Sequence, residues 1–284
     1  MSDAVRSIDV GNGSPRPLAA ADRRHHILKR VAEDQTIHVG DLARTFDVSE
    51  MTIRRDIRRL EQDGFVRQTY GGATAHLTRA LDMAFNPRAL QRTREKRRIG
   101  MRATHLVGDA RVVYVGIGTT AEQFARFLPV RPGLVVVTAS LPTASLLGTR
   151  PVEVVALGGT VRRDELTCVG PVAAATLGRF RFDLAVIGAA GLSARWGLTE
   201  LDDGEAEIQR LAIERAARVV VIADGSKIGA TTNAIVTQAD SIETLVTDES
   251  ASTVELARLA AAGLDVIIAG LNDDSPGAMS GRVE

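Results

Sequence analysis

Ser49-Glu-Met-Thr-Ile-Arg-Arg-Asp-Ile-Arg-Arg-Leu60 has two faces. Ile53, Ile57 and Leu60 recur at spacings of four and three, the period that lines one side of an α-helix, and they leave Glu50, Thr52, Arg54, Arg55 and Arg58 on the polar remainder. Ser49 stands where an N-cap belongs, its hydroxyl placed to satisfy an amide of the first turn. Upstream, Asp47-Val-Ser49 supplies a turn after a short helix around residues 41–46, and a further helix begins at Ala21 with Ile27, Leu28 and Val31 on one face. Downstream, Phe65-Val-Arg-Gln-Thr-Tyr-Gly-Gly-Ala73 reads as two short strands around a Gly-Gly turn, because glycine tolerates positive φ. A helix trio followed by a hairpin presents its third helix as a helix-turn-helix does to the DNA major groove. Arginine suits that place: its fork bonds guanine O6 and N7 or holds a phosphate, while Thr52 can cap a phosphate or touch a thymine methyl. Arg67, Gln68 and Tyr70 of the hairpin are placed to reach a neighbouring backbone or minor groove. Arginines on one helix alone more often describe a solvated face; helices, turn and hairpin together favour the DNA-facing reading.

The whole chain is 284 residues long, 45% hydrophobic and 25% charged, which suits one large or two smaller globular domains. Lys plus Arg and Asp plus Glu both count 35, so a uniformly basic coat is excluded and any nucleic-acid contact must be local. The cancellation hides a division: residues 1–102 hold 20 basic against 13 acidic side chains, and the remainder 15 against 22. Residues 1–20, rich in Gly, Asn, Ser and Pro without hydrophobic period, are expected to be a disordered lead-in. The DNA-binding unit at 21–75 is followed by a linker at 76–87, ended by Pro87, then an α/β domain at 88–270 and a flexible tail at 271–284. In that second domain, apolar runs at 112–115, 134–137, 154–157, 184–187, 219–222, 244–246 and 266–268 alternate with helical or glycine-rich segments. Continuous runs suit strands covered on both faces, hence a largely parallel sheet. The domain's first helix, expected over 88–106, carries Arg88, Arg92, Arg94, Lys96, Arg97, Arg98 and Arg102 against Glu95, and is either a solvated surface helix or a second DNA-facing element. No apolar run approaches the roughly 20 residues of a bilayer span, and the N-terminus does not resemble a secretory signal. Cys168 stands alone, so neither a disulfide nor a metal cluster is expected. The expectation is a cytoplasmic protein with no cofactor, no metal and no membrane partner.

Val112-Val-Tyr-Val-Gly-Ile-Gly-Thr-Thr-Ala121 is a strand running into a turn at a helix start. Gly118, Thr119 and Thr120 there offer unpaired amides and two hydroxyls to an anion, helped by the positive end of the helix; the same residues also serve plain turn geometry. The strand-to-turn segments at Thr138-Ala-Ser140 and Leu157-Gly158-Gly159 end likewise, and three such loops can share one cleft beyond the C-terminal ends of the strands. Asp224-Gly-Ser-Lys227 follows another apolar run, where Lys227 supplies a point charge and Asp224 holds Lys227 or a sugar hydroxyl, unless the two are a surface ion pair. Asp183, Glu205 and Glu207 are either hydroxyl ligands or caps and solvated residues, and Arg162-Arg163 either a second anion contact or an exposed pair. Trp196 belongs to a pocket, an interface or, most often for a lone tryptophan, the core; Cys168 is expected buried or at an interface, and the five histidines in ordinary roles.

Leu42-Ala43, Val48-Ser49, Thr52-Ile-Arg-Arg-Asp56 and Gly71-Gly-Ala73 resemble the winged helix-turn-helix of DeoR-family bacterial transcription regulators. The resemblance continues through Glu95-Lys96, Gly118-Thr-Thr120, Gly158-Gly159, Gly170, Gly197-Leu198, Asp224-Gly-Ser-Lys227 and Thr247-Asp248, covering about residues 22–250. It implies an N-terminal winged helix-turn-helix joined to a C-terminal α/β sensor similar to ribose-5-phosphate isomerase-like folds, and a repressor of carbohydrate genes relieved by a phosphorylated sugar. Double-stranded operator DNA, the sugar phosphate and further copies of the chain, as homodimer or homotetramer, are the expected partners. The chain departs from the family pattern at Gly116, where members often carry an acid, and at Ala139, where they often carry asparagine; both losses remove polar contacts at the expected sugar. The alternative from another class is a sugar-phosphate isomerase with an appended DNA-binding head, for which Asp183 or Glu205 would be the base.

Overall fold

The computed structural model describes residues 19–34, 36–62, 65–75, 88 and 91–270. The expected lead-in, linker and tail lie outside these residues, apart from Ala19 and Ala20. The chain divides into two compact units, residues 1–90 and 91–284.

In the first unit, α1 (Ala20–Asp34), β1 (Thr36–His38), α2 (Val39–Phe46), α3 (Glu50–Gln62), β2 (Val66–Thr69) and β3 (Gly72–Ala75) follow one another. Ile27, Leu28 and Val31 of α1 and Ile53, Ile57 and Leu60 of α3 share one fully buried cluster, completed by Leu42, Phe65, Val66 and Ala73. Each large apolar side chain buried there contributes roughly 1.5–3 kcal/mol. Asp47, left-handed at φ 50, ends α2, and Ser49 starts α3 by accepting the Thr52 N–H at 3.2 Å. The hairpin of β2 and β3 is joined by β1 in the order β1-β3-β2, all antiparallel. Three residues carry too little period for β1 to be read from sequence. Its presence changes the meaning of the Gly-Gly pair. Gly71 has φ 86, as a turn requires, whereas a Cβ on Gly72 would stand 1.9 Å from the Ile37 carbonyl oxygen; β3 reaches β1 because residue 72 has no side chain.

The second unit begins with α4 (Thr93–Thr104), shorter than expected at its N-terminus. Then come β4 (Val112–Val115), α5 (Thr119–Phe127), β5 (Val135–Thr138), α6 (Leu141–Gly148), β6 (Glu153–Ala156), β7 (Thr160–Arg162), β8 (Thr167–Val169) and α7 (Pro171–Leu177). The remainder is β9 (Leu184–Gly188), β10 (Gly191–Ser193), β11 (Gly197–Glu200), α8 (Asp203–Glu214), β12 (Val219–Ile222), β13 (Ala234–Thr237), β14 (Thr244–Asp248), α9 (Thr253–Ala261) and β15 (Asp265–Ala269). All seven apolar runs fall in one sheet, ordered β15-β14-β12-β9-β4-β5-β6, with every neighbouring pair parallel. Along β4, Val113 and Val115 enter one apolar layer and Tyr114 the other, which is why the run is continuous and not alternating. The chain starts at β4, builds outward to β6, then returns to the other side of β4 with β9. The strand order therefore reverses between β4 and β9. At that point the two following loops touch backbone to backbone: a Cβ on Gly188 would lie 2.3 Å from the Ile117 carbonyl oxygen. The small antiparallel sheet β10-β11-β13 and the β7-β8 hairpin, absent from the sequence reading, cover parts of this framework.

Helix α4 is not a plain solvated surface helix. Lys96 and Arg98 are 4% and 3% exposed, Arg97 stacks over the Phe127 ring at 5.1 Å, and Ile99 and Ala103 join the core. A Cβ on Gly100 would come within 2.6 Å of the Phe124 backbone nitrogen, so α4 lies directly on α5. Charge counts do not reveal that guanidinium stems can be packed while their heads find partners inside the domain.

Candidate functional site

Helix α3 and the wing carry exposed charge. Glu50 and Arg54 pair at 3.3 Å, Ser49 and Thr52 join their hydroxyls at 3.0 Å, and Gln68 donates its N–H to Glu61. Arg55, Arg58 and Arg67 stand exposed, with no acceptor found among the described residues, and Tyr70 is fully exposed at the wing turn. Two features escaped the sequence reading. Met51, 65% exposed, sits on the same helix face as Arg55 and Arg58, at spacings of four and three. Arg23 and Arg24 of α1 and Arg59 of α3 join Thr52, Arg55 and Arg58 around a cleft. The signal for the second was the Asp56 of the Thr-Ile-Arg-Arg-Asp run: the residue is buried and its carboxylate receives Arg23 Nε at 2.6 Å, tying α1 to α3.

In the second unit, the Gly118, Thr138–Ser140, Gly158–Gly159 and Asp224–Lys227 loops follow β4, β5, β6 and β12, so the parallel sheet places all four at one edge. They are not equivalent. Gly118, at φ 94, starts α5 without a side-chain cap, and the amides of Thr119, Thr120 and Ala121 have no acceptor among the described residues. This uncapped turn lies at the strand-order reversal, where open α/β sheets hold ligands, and its amides and dipole suit an anion. Thr138 Oγ1, by contrast, accepts the Ser140 N–H, and Ser140 Oγ caps α6 through the Thr143 N–H. Gly159, at φ 116, lets its loop approach β8, where a Cβ would stand 2.7 Å from the Val169 carbonyl oxygen. These loops hold themselves in place.

Asp224 does not hold Lys227. Its carboxylate, 2% exposed, accepts from Ser226 and lies 3.6 Å from Arg92 Nε, while Arg92, held at φ 51, also donates to Ser250 Oγ at 2.8 Å. Lys227 is half-buried, with no carboxylate within 4 Å among the described residues. The loop is locked from behind: Asp248 Oδ2 accepts the Gly225 N–H at 2.7 Å, and a Cβ on Gly225 would lie 2.4 Å from the Ala251 backbone nitrogen. Burial pushes the Asp248 carboxyl up, but hydrogen bonds from the Ser250 hydroxyl, the Gly225 amide and the Ser250 amide outweigh it and hold the group below the usual aspartate value.

Asp183 proves to be a cap. It accepts the Arg111 and Val112 N–H groups at 2.7 and 2.9 Å at the N-terminal end of β4, opposite the Gly118 turn, and those amides lower its pKa. Arg162 is not a free anion contact, since it meets Glu205 at 2.8 Å, Asp202 at 3.4 Å and Asp164 at 3.9 Å; Arg163 and Glu207 are exposed. Beneath this cluster the Tyr114 hydroxyl is fully buried, and burial together with the Glu205 charge pushes its pKa up. Trp196 is not core: it is 43% exposed beneath Arg195, while Cys168 is buried. Ala139 is buried in the apolar cluster, and a Cβ on Gly116 would press on β9 at 3.1 Å from the Val186 carbonyl oxygen. Lys96 lies one turn before Gly100 on α4 and is buried.

Residues 23–78 match the DeoR-like helix-turn-helix domain, and residues 91–249 the DeoR C terminal sensor domain. The chain is 31% identical over 250 residues to the HTH-type transcriptional regulator GlpR of Haloferax volcanii, spanning 88% of this chain and 98% of that one. It is 30% identical over 252 residues to the HTH-type transcriptional repressor CsqR of Escherichia coli, spanning 88% and 96%. Among solved structures it is similar to the full-length sorbitol operon regulator SorC of Klebsiella pneumoniae, at 13% identity and a TM-score of 0.36 over 83% of this chain and 97% of that one. The two matched domains together span nearly all of the described residues, and the chain belongs to the DeoR family of transcriptional regulators.

Proposed function

We propose that the protein is a repressor that binds double-stranded operator DNA through α3 and the wing, as a homodimer or homotetramer, and releases it when a phosphorylated sugar occupies the ligand edge of the sensor. The observation that carries this reading is the uncapped Gly118 turn at the strand-order reversal, with the unpaired Lys227 two strands away, roughly 10 Å. Gly118, Thr119, Thr120 and Lys227 face the phosphate; Thr138, Ser140, Gly158, Gly159 and Asp224 shape the loops around it. The names of CsqR and of a putative aga operon repressor support the sign of regulation. An isomerase reading is not favoured, because Asp183 lies at the wrong end of the strands and Glu205 is bound to Arg162. Two-fold assembly doubles the base contacts that one small head supplies.

The test is a thermal-shift screen of the full chain against paired free and phosphorylated sugars. A ligand at 100 times its Kd adds about 2.7 kcal/mol of stability. Only phosphorylated compounds should raise the melting temperature, and Thr119→Ala and Lys227→Ala should abolish the rise while leaving DNA binding intact. A rise caused equally by the free sugars would refute the phosphate assignment.

A further inference from the structure

Asp224 and Lys227 stand in one tight turn, closed by the Lys227 N–H donating to the Asp224 carbonyl oxygen at 2.9 Å. A carboxylate and an ammonium three residues apart in such a turn are natural partners, and their pairing would spend the charge that the ligand edge offers to a phosphate. The pair does not form. The Asp224 carboxylate, 3% exposed, is met instead by Arg92, whose Nε lies 3.6 Å from Oδ1 while its Nη1 donates to Ser250 Oγ at 2.8 Å. Arg92 is the one cation within 4 Å of Asp224 among the described residues. Its backbone is left-handed at φ 51, a conformation that a residue with a Cβ keeps only where surrounding contacts hold it. Ser226 donates its N–H and its hydroxyl to Oδ1 as well, and Oδ2 receives no hydrogen bond among the described residues. Without the guanidinium, that oxygen is open to Lys227.

We propose that Arg92 is a positioning residue for the effector's phosphate: by holding Asp224 it keeps Lys227 unpaired and available to the anion. The proposal rests on the phosphate reading of the ligand edge above and adds to it a residue from the start of the sensor that need not touch the ligand. Arg92 competes with Lys227 for one carboxylate, so its effect on anion binding runs through Asp224.

The experiment has two readouts on the full chain. The first needs no ligand: the rate at which an amine-reactive acetyl ester acylates Lys227, read by peptide mass spectrometry, with the exposed Lys29 of the first unit as internal reference. An ammonium engaged by a carboxylate acylates more slowly. Arg92→Gln should slow Lys227 about two- to fivefold, the range of a part-exposed ion pair, with Lys29 unchanged. The second is binding of inorganic phosphate, followed by phosphorus NMR line broadening, which should weaken by a similar factor. Combining Arg92→Gln with Asp224→Asn, which keeps the acceptor for Ser226 but removes the charge, should return both readouts to those of the unaltered chain. An unchanged Lys227 rate in Arg92→Gln would overturn the proposal, as would a double variant no better than the single one, the result of a merely structural role. Absence of phosphate binding by the unaltered chain would instead remove the phosphate reading, while the acylation rates still decide whether Arg92 keeps Lys227 free.

Discussion

Replacing Asp56 by Ala should unfold much of the DNA-binding unit while sparing the sensor. The Arg23 and Asp56 side chains are 8% and 7% exposed and meet at 2.6 Å, so truncating the acid removes the carboxylate that this buried guanidinium faces. Breaking a buried pair in this way costs about 3–5 kcal/mol. A unit of about 55 residues has only some 3–8 kcal/mol in total at 0.05–0.15 kcal/mol per residue. Hydrogen exchange on the full chain, read by peptide, should show protection of α1 and α3 falling by about two to three and a half orders of magnitude, at 1.4 kcal/mol per factor of ten. Sensor peptides serve as the internal control. The double variant Arg23→Met with Asp56→Leu should recover most of the loss, because removing both charges leaves nothing unpaired. If Asp56→Ala changed protection by less than about fivefold, roughly 1 kcal/mol, the pair would not be what joins the two helices.

Gly100→Leu should lower the sensor's melting temperature by an overpacking cost of about 1–3 kcal/mol, since its Cβ would sit 2.6 Å from the Phe124 nitrogen; a calorimetric trace like that of the unaltered chain would contradict the contact. Asp248→Asn should cost about 1–3 kcal/mol at neutral pH by disturbing the acceptor of the Gly225 and Ser250 amides. Because the folded Asp248 carboxyl titrates below its reference of 3.8, its contribution is complete above that pH and fades as pH falls through the lower folded value. The melting difference between variant and unaltered chain should hold from pH 7 to about 4.5 and narrow only below; narrowing near pH 6 would assign the effect to another group. Met51→Ala should erase a thymine preference at one position when duplexes are selected from a random pool, with the salt slope unchanged; an identical enriched motif would remove Met51 from base reading.

How legible the candidate site was depended on the kind of residue. Ser49 as N-cap, Arg55 and Arg58 as outward cations and Gly118 as an uncapped helix start all follow from local rules, and the structure keeps them. Arg92 as the partner of Asp224 and Arg23 as the partner of Asp56 did not show, because each depends on a segment distant in sequence. Arg92 finds Asp224 and Ser250 across the fold, and Arg23 finds Asp56 from another helix. Composition also misled: seven cations around α4 promised a charged surface, yet two of them are buried.

The sequence by itself determined the helix trio of the first unit, the seven strands of the parallel sheet and which of their faces are apolar. Helical spacing in α3 and seven continuous apolar runs follow from the requirement that a helix bury one stripe and a parallel strand both sides. Tertiary structure decided the order in which those strands lie, hence where the order reverses and which loops share an edge. It also decided why Gly72 and Gly100 must be glycine, since that depends on the Ile37 carbonyl and the Phe124 backbone standing where a Cβ would go. Periodicity is a property of a few consecutive residues, whereas close approach and charge pairing are properties of segments that meet only when the chain has folded.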